Sequence, residues 1–161
     1  MKHLSRSGFT LVEVMIVVAI IALLAAIAIP NVLRGRTTAN ESAAIANIRA
    51  LTSGLEMFRS VNNQYPAAWQ ADLYTNANPD FGPPSFDVTM AASTVQGYNY
   101  TYAQVTAQTF TLLSVPQTLG TTGTRSLFVN ETGIVRHCRG TGTAAGMAAA
   151  ATLDAAPAAC A

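Results

Sequence analysis

The feature that most constrains this chain is an uninterrupted apolar run close to its N-terminus. The run begins at Phe9 and ends at Pro30, and Glu13 is the only ionisable residue within it. About 20 apolar residues are enough for a helix to cross a bilayer. A short polar and basic stretch, MKHLSRSG, precedes the run. The pattern therefore predicts a helix that enters a membrane.

Residues 1–30 allow three interpretations of how this helix is processed. An ordinary secretory signal is cut after a short apolar core, and small residues such as Ala25 and Ala28 do lie where such a cut would fall. However, this apolar core is too long for such a signal and runs on into a helical pattern. An uncleaved anchor is the second interpretation. The third, which we favour, is a cut between Gly8 and Phe9 that leaves the helix in the mature protein.

Beyond Pro30 the sequence continues as an amphipathic helix. Apolar residues recur at steps of three and four, which is one stripe of a helix: Ile45, Ile48, Leu51, Leu55 and Phe58. We therefore expect one helix from about Phe9 to Val61, apolar all round at first and then one-sided. Pro30 removes a backbone hydrogen bond and is expected to kink it, either as a functional weak point or as a passive bend.

The C-terminal part is expected to be a small α+β head. Residues 64–97 are rich in turn formers and predict a loop region with a short helix near Trp69–Leu73. Two runs, 98–105 and 109–115, predict strands, with Tyr98, Tyr100 and Tyr102 on one side of the first. A third run, 126–138, is either continuous or broken into a hairpin at Asn130–Gly133. The result would be an antiparallel sheet of three or four strands packed on the helix stripe.

The N-terminal string carries a specific resemblance. Gly8-Phe9-Thr10-Leu11-Val12-Glu13, followed by the apolar run to Ala28-Ile29-Pro30-Asn31, resembles the processing motif of type IV prepilins and type II secretion pseudopilins. The resemblance is strong over residues 8–31 and concerns only the general layout beyond about Tyr65. It implies that prepilin peptidase cuts between Gly8 and Phe9 and methylates Phe9. It also implies a pilin-like fold, with a long N-terminal helix packed against a small antiparallel sheet.

This resemblance divides the chain into four expected segments. Residues 1–8 would be a leader peptide, and residues 9–30 a hydrophobic transmembrane and assembly helix. Residues 31–63 would be the amphipathic half of the same helix, and residues 64–161 a β-rich head with a C-terminal loop.

Glu13 needs a partner if it lies within a membrane, because a carboxylate near the bilayer centre costs about 2.5–3.5 kcal/mol. Cleavage would give Phe9 a positively charged amine one helical turn away. The resemblance implies a pair between the amine of one subunit and Glu13 of its neighbour, which would drive filament assembly and reject misregistered neighbours. The alternative is that Glu13 lies solvated near the headgroups.

The cysteines Cys138 and Cys160 are the only two in the chain. Their oxidation would close a C-terminal loop, worth roughly 3 kcal/mol by chain-entropy reasoning. A disulfide-bounded C-terminal loop is also what the resemblance implies. The alternative is two free thiols on a flexible tail.

No pattern in the chain predicts catalysis, a metal or a cofactor. His137 with Cys138 and Cys160 lacks zinc-site spacing. A loop with five acidic and amide residues does not have EF-hand spacing and is expected to be an ordinary polar loop: Asp72, Asn76, Asn78, Asp80 and Asp87. The formal net charge of +1, without a basic patch, gives no reason to expect nucleic-acid binding.

The expected function is therefore structural. The chain would be a subunit of a type IV pilus-like filament, a single-pass inner-membrane precursor that becomes part of an extracellular or periplasmic filament. Its partners would be further copies of itself, prepilin peptidase, the inner-membrane assembly machinery and, before assembly, the membrane. The alternatives are a pseudopilin of a type II secretion system, acting as a periplasmic piston, and a monomeric membrane-anchored binding domain.

Overall fold

The computed structural model describes residues 8–88, 90 and 94–143, together with the backbone of residues 154–155. The chain divides into two compact units, Met1–Gly35 and Arg36–Ala161.

The dominant element is helix α1, Leu11–Asn62, which includes Pro30 in its interior. Its ends lie within two residues of the predicted Phe9 and Val61, so the prediction of one long helix is confirmed. In the first unit its apolar side chains are exposed all round, and among residues 8–35 no second element packs on them. The kink at Pro30 stays a prediction.

In the second unit α1 presents a buried stripe to the head. Its fully buried members include the predicted Ile48, Leu51 and Leu55, and Phe58 is nearly as buried. The predicted Ile45 lies at the edge of the stripe and is only partly buried. Gly54 belongs to the same stripe and lies where the loop after α1 crosses the helix closely.

The sheet has six strands in the order of the chain. They are β1 Thr94–Val95, β2 Tyr98–Thr106, β3 Thr109–Pro116, β4 Arg125–Asn130, β5 Arg136–Arg139 and β6 Asp154–Ala155. Strands β1 to β5 form an antiparallel meander, and β6 pairs with β5 in parallel. The α+β class and the hairpin break after Asn130 are confirmed. The predicted count of three or four strands is wrong, because two-residue strands are too short to show an alternating pattern.

The core lies between the α1 stripe and one face of this sheet, and it is rich in aromatic rings. Tyr98 and Tyr100 are buried and Tyr102 is half-buried, which confirms their predicted common side. Tyr65 packs on Phe110 with ring centroids 4.6 Å apart. Burial and the Glu56 carboxylate raise the pKa of Tyr65 to about 12.

The segment between α1 and the sheet contributes to the core and is more than a surface loop. Trp69, Tyr74 and Phe86 are all buried. The short helix expected near Trp69–Leu73 is confirmed: Trp69 and Gln70 are α-helical and continue into a π-helical turn at Ala71–Thr75. A 3-10 turn follows at Pro84–Phe86.

The β3–β4 loop, residues 117–124, is tied to α1 near the start of the second unit. Thr37 Oγ1 donates to the carbonyl of Thr121 at 3.2 Å, and Asn40 Nδ2 donates to that of Thr122 at 3.0 Å. Glu41 Oε1 accepts two hydrogen bonds from Thr124, at 2.7 Å from its backbone nitrogen and 2.6 Å from its hydroxyl. This loop thereby fixes the end of the sheet to the helix.

Candidate assembly site at the start of the helix

Glu13 is held at the N-terminus of α1 by a reciprocal capping box. Its backbone nitrogen donates to Thr10 Oγ1 at 3.2 Å, and its Oε2 accepts from the Thr10 backbone nitrogen at 3.5 Å. Thr-x-x-Glu at a helix start is the signature of this motif, in which the two side chains satisfy otherwise unpaired backbone donors. The sequence analysis predicts an assembly role for Glu13 but not this box, although its signal is present in the string Thr10–Glu13.

This geometry places the carboxylate where negative charge is favourable. Glu13 lies in the first turn of α1, where the exposed backbone N–H groups and the helix dipole favour an anion. The side chain is nevertheless exposed, so its second oxygen is accessible to a partner outside the chain. Glu13 can therefore cap its own helix and accept an interaction from a neighbour at once.

Gly8 and Phe9 lie immediately before α1, outside regular structure, and both are exposed. Phe9 has 86% of its surface accessible. Nothing lies within 4 Å of the position that a Cβ would take at Gly8. Both residues that flank the predicted cut are thus exposed, and the cut itself stays a prediction. The rest of the predicted leader, residues 1–7, lies outside the described residues.

The helix that follows presents a long apolar surface that no other described residue covers. An 18-residue window of α1 is long and apolar enough to cross a membrane, and 0% of it is buried. Soluble monomeric proteins rarely expose contiguous apolar patches larger than a few hundred Å². This surface fits a lipid environment or other copies of the same helix.

The other predicted site residues are separate from this end of the chain. Pro30 is exposed within α1. Cys138 is fully buried in β5 and is disulfide-bonded. Its predicted partner, Cys160, lies outside the described residues, so the pairing of the two stays a prediction.

Three of the five polar residues considered for a metal share one cavity. Asp72, Asn76 and Asn78 border an open cavity of about 330 Å³ beside the end of α1. The Asp72 carboxylate accepts a hydrogen bond from the backbone nitrogen of Ala68 at 2.9 Å, and the Asp87 carboxylate accepts one from the side-chain amide of Gln70 at 3.3 Å. Within the described part of the chain, no group of three or more His, Cys, Asp or Glu side chains is placed to hold a metal ion.

Comparison with known proteins points to the same end of the chain. Residues 4–29 match the family described as the prokaryotic N-terminal methylation motif. Type II secretion system core protein G of Aeromonas hydrophila is 39% identical over 70 residues, which are 44% of this chain and 49% of that protein. The corresponding protein of Vibrio cholerae is 39% identical over 69 residues, 43% of this chain and 47% of the relative.

A pilus protein is similar over a comparable stretch. The type IV wide pilus major component PilA4 of Thermus thermophilus is 47% identical over 61 residues, 38% of this chain and 47% of its own length. The chain thus spans about half the length of the curated relatives it matches. No solved structure matches it significantly. The chain carries the N-terminal methylation motif and is similar both to type II secretion core protein G and to a type IV pilin, which confirms the resemblance predicted from Gly8–Asn31.

Proposed function

We propose that this chain is a structural subunit of a type IV pilus-like filament, processed by prepilin peptidase and polymerised through α1. The observation that carries the proposal is the uncovered apolar half of α1, headed by a single capped acid, Glu13. A surface of this kind has two stable environments, a bilayer before assembly and a bundle of identical helices afterwards. The protein would thus be a single-pass inner-membrane precursor and then part of an extracellular or periplasmic filament.

Processing would complete the assembly site. The cut after Gly8 creates an α-amine on Phe9, which prepilin peptidase would then methylate; a methylated amine keeps its positive charge. Two groups of the same subunit one helical turn apart pair only weakly, by a few tenths of a kcal/mol on an exposed helix surface. The exposed carboxylate and the new amine are therefore best satisfied between neighbouring copies in a water-poor bundle, where an unpaired charge is expensive.

The experiment that tests processing uses the unusual lysine content of the chain. Lys2 is the only lysine and lies in the proposed leader, so the mature protein would have one amine, on Phe9. Mass spectrometry of the membrane or surface form should show an N-terminus at Phe9 with one added methyl group. Amine-directed labelling at any other residue, or recovery of the chain with Met1 in place, would contradict the proposal.

A type II secretion pseudopilin is the second candidate, because several similar proteins are named type II secretion system core protein G. The filament would then be a periplasmic piston and not a surface pilus. Electron microscopy of material sheared from the cell surface separates the two, since only a pilus subunit should be recovered in long surface filaments. A monomeric anchored binding domain would form no filaments in either place.

A further inference from the structure

We infer that the head makes an end-to-end contact with the head of a second copy, in which Leu119 of one subunit enters the cavity beside the C-terminus of α1 of the other. This inference rests on the proposed filament function. It names a specific contact between heads, apart from the packing of the apolar helices.

The receiving surface lies at the end of the head where α1 finishes. Its cavity of about 330 Å³ is walled by the apolar side chains of Phe58, Val61 and Phe81, with amide and carboxylate groups around its rim. Val61 is 72% exposed although it is a large aliphatic residue. Phe58 and Phe81 form a rigid wall, because their rings meet edge to face with centroids 5.4 Å apart. A partner could therefore bury apolar area here without reshaping the cavity.

The inserting residue lies at the opposite end of the head, in the β3–β4 loop. Leu119 is 51% exposed at the loop tip. The loop is well ordered by its own hydrogen bonds: the Thr118 carbonyl accepts from the backbone nitrogens of Thr121 and Thr122, and Gly120 donates to Gly123 at 2.8 Å. Its bonds to Thr37, Asn40 and Glu41 then fix it to α1. A rigid loop that holds a leucine in water loses little entropy on binding.

The directions of the strands place these two surfaces at opposite ends. The β2–β3 turn lies beside the end of α1. The side-chain amide of Gln108 donates to the carbonyl of Asn63 at 2.7 Å, and the backbone nitrogen of Tyr65 donates to the carbonyl of Ala107 at 2.9 Å. Strand β3 runs away from that end, so the β3–β4 loop lies at the other one, beside Thr37. A contact between unlike ends is heterologous and propagates as an open filament, whereas a contact between like ends would close a dimer.

The charges of the two ends are complementary. Among the described residues, the loop end carries Arg36, Arg125 and Arg139 with one acid, Glu41, whose Oε1 accepts hydrogen bonds from Thr124. At the cavity end, Asp72 lies on the rim and Asp80 directly precedes the lining residue Phe81. Glu131 lies in the β4–β5 turn, at the end of the sheet that also carries the β2–β3 turn. Arg59 at that end is paired with Glu56 at 3.8 Å. Opposite potentials favour this docking and oppose contacts between like ends.

The test is photo-crosslinking in cells that assemble the filament, with a photoreactive phenylalanine analogue in place of Leu119. We expect a covalent dimer whose joined peptide contains residues 58–62 or 76–81 of the second copy. Leu119→Asp should lower filament yield by about tenfold or more, as expected for loss of a buried aliphatic anchor. Val61→Asp should do the same from the cavity side.

The matched control is Val88→Asp, which changes an exposed valine that neither lines the cavity nor belongs to the β3–β4 loop and should leave the yield unchanged. The unfolding midpoint of each full-length variant in detergent must equal that of the parent. If Leu119→Asp does not fold, the filament yield of Val61→Asp tests the contact instead. A crosslink to another protein, to another part of the copy, or none at all in assembled filaments overturns the inference alone. Failure of the unmodified chain to form filaments overturns both this inference and the proposed function.

Discussion

At the scale of single residues, Glu13 combines two roles that substitutions can separate. Its backbone and carboxylate complete the capping box with Thr10, which is a property of one chain. Its negative charge would be paired with an amine of a neighbour, which is a property of the filament. Capping is worth about 1 kcal/mol, whereas a carboxylate left unpaired in a membrane costs about 2.5–3.5 kcal/mol. The pairing role should therefore dominate assembly.

We predict that Glu13→Ala leaves membrane insertion intact and abolishes or sharply reduces filament formation. Thr10→Ala is the matched control, because it removes the side-chain acceptor of the capping box and keeps the Glu13 charge. That control should lower the stability of the helix start by about 1 kcal/mol and still assemble. Filament yield by electron microscopy is the measurement. Equal yields from Glu13→Ala and the parent would reject the pairing role.

The two glycines within α1 give a second prediction at this scale. An Ala normally stabilises a helix by about 1 kcal/mol relative to Gly. At Gly54, however, the added Cβ would overlap the backbone carbonyl of Phe81, which cannot rotate away. Overpacking of this kind costs about 1–3 kcal/mol. We expect Gly54→Ala to destabilise the head.

Gly35 supplies the contrast, because nothing lies within 4 Å of its Cβ position. Gly35→Ala should keep or raise helix stability, since only the propensity term changes. Urea unfolding of the two variants, followed by circular dichroism, measures the difference. A more stable Gly54→Ala protein would show that the loop carrying Phe81 can withdraw from α1.

At the scale of elements, the sequence predicted the parts whose pattern is long and periodic. Helix α1 has an apolar run and then a stripe that repeats over many turns, and strands β2 and β3 alternate over eight or more residues. Strands β1 and β6 have two residues each and were missed, because their existence depends on neighbouring strands and not on local pattern. The capping box at Thr10 was readable and was overlooked.

The attachment of the β3–β4 loop to α1 could not be predicted from local pattern, because Glu41 and Thr124 are far apart in the chain. In the sequence Glu41 is only one residue of the polar face of a helix, where water can supply the hydrogen bonds of its carboxylate. In the structure its Oε1 accepts from both the nitrogen and the hydroxyl of Thr124. Tertiary contacts of this kind depend on how helix and sheet meet.

We predict that Glu41→Ala destabilises the head by about 1–2 kcal/mol, because hydrogen bonds to a charged group are lost and the Thr124 N–H is left unpaired. Amide hydrogen exchange should rise selectively in residues 117–124. Glu131→Ala, at an exposed turn at the other end of the sheet, is the control and should change stability by less than about 0.5 kcal/mol. Unchanged exchange in the loop of the Glu41→Ala variant would show that Thr37 and Asn40 alone hold it.

At the scale of the whole molecule, the head is stabilised by tyrosines whose hydroxyl groups bridge its separate parts. Tyr98 donates to the Arg125 carbonyl at 3.0 Å, and Tyr102 donates to that of Pro66 at 2.8 Å. Tyr65 donates to Glu56 at 2.6 Å. Burial, as the main cause, raises the pKa of all five tyrosines of the chain: Tyr65, Tyr74, Tyr98, Tyr100 and Tyr102.

These shifts predict that the head loses stability in alkali. An unfolded tyrosine ionises near pH 10, whereas folded Tyr65 keeps its proton to about pH 12. The contribution of Tyr65 to the free energy of unfolding is therefore fully present below about pH 10 and decreases as the pH rises towards 12, because the unfolded chain releases its proton first. Lys2 is the only lysine and would leave with the leader, so no lysine titrates in the same range in the mature chain. Urea unfolding at a series of pH values should show this fall, with a smaller one in Tyr65→Phe. A flat profile through pH 11 would mean that the tyrosines ionise alike in both states.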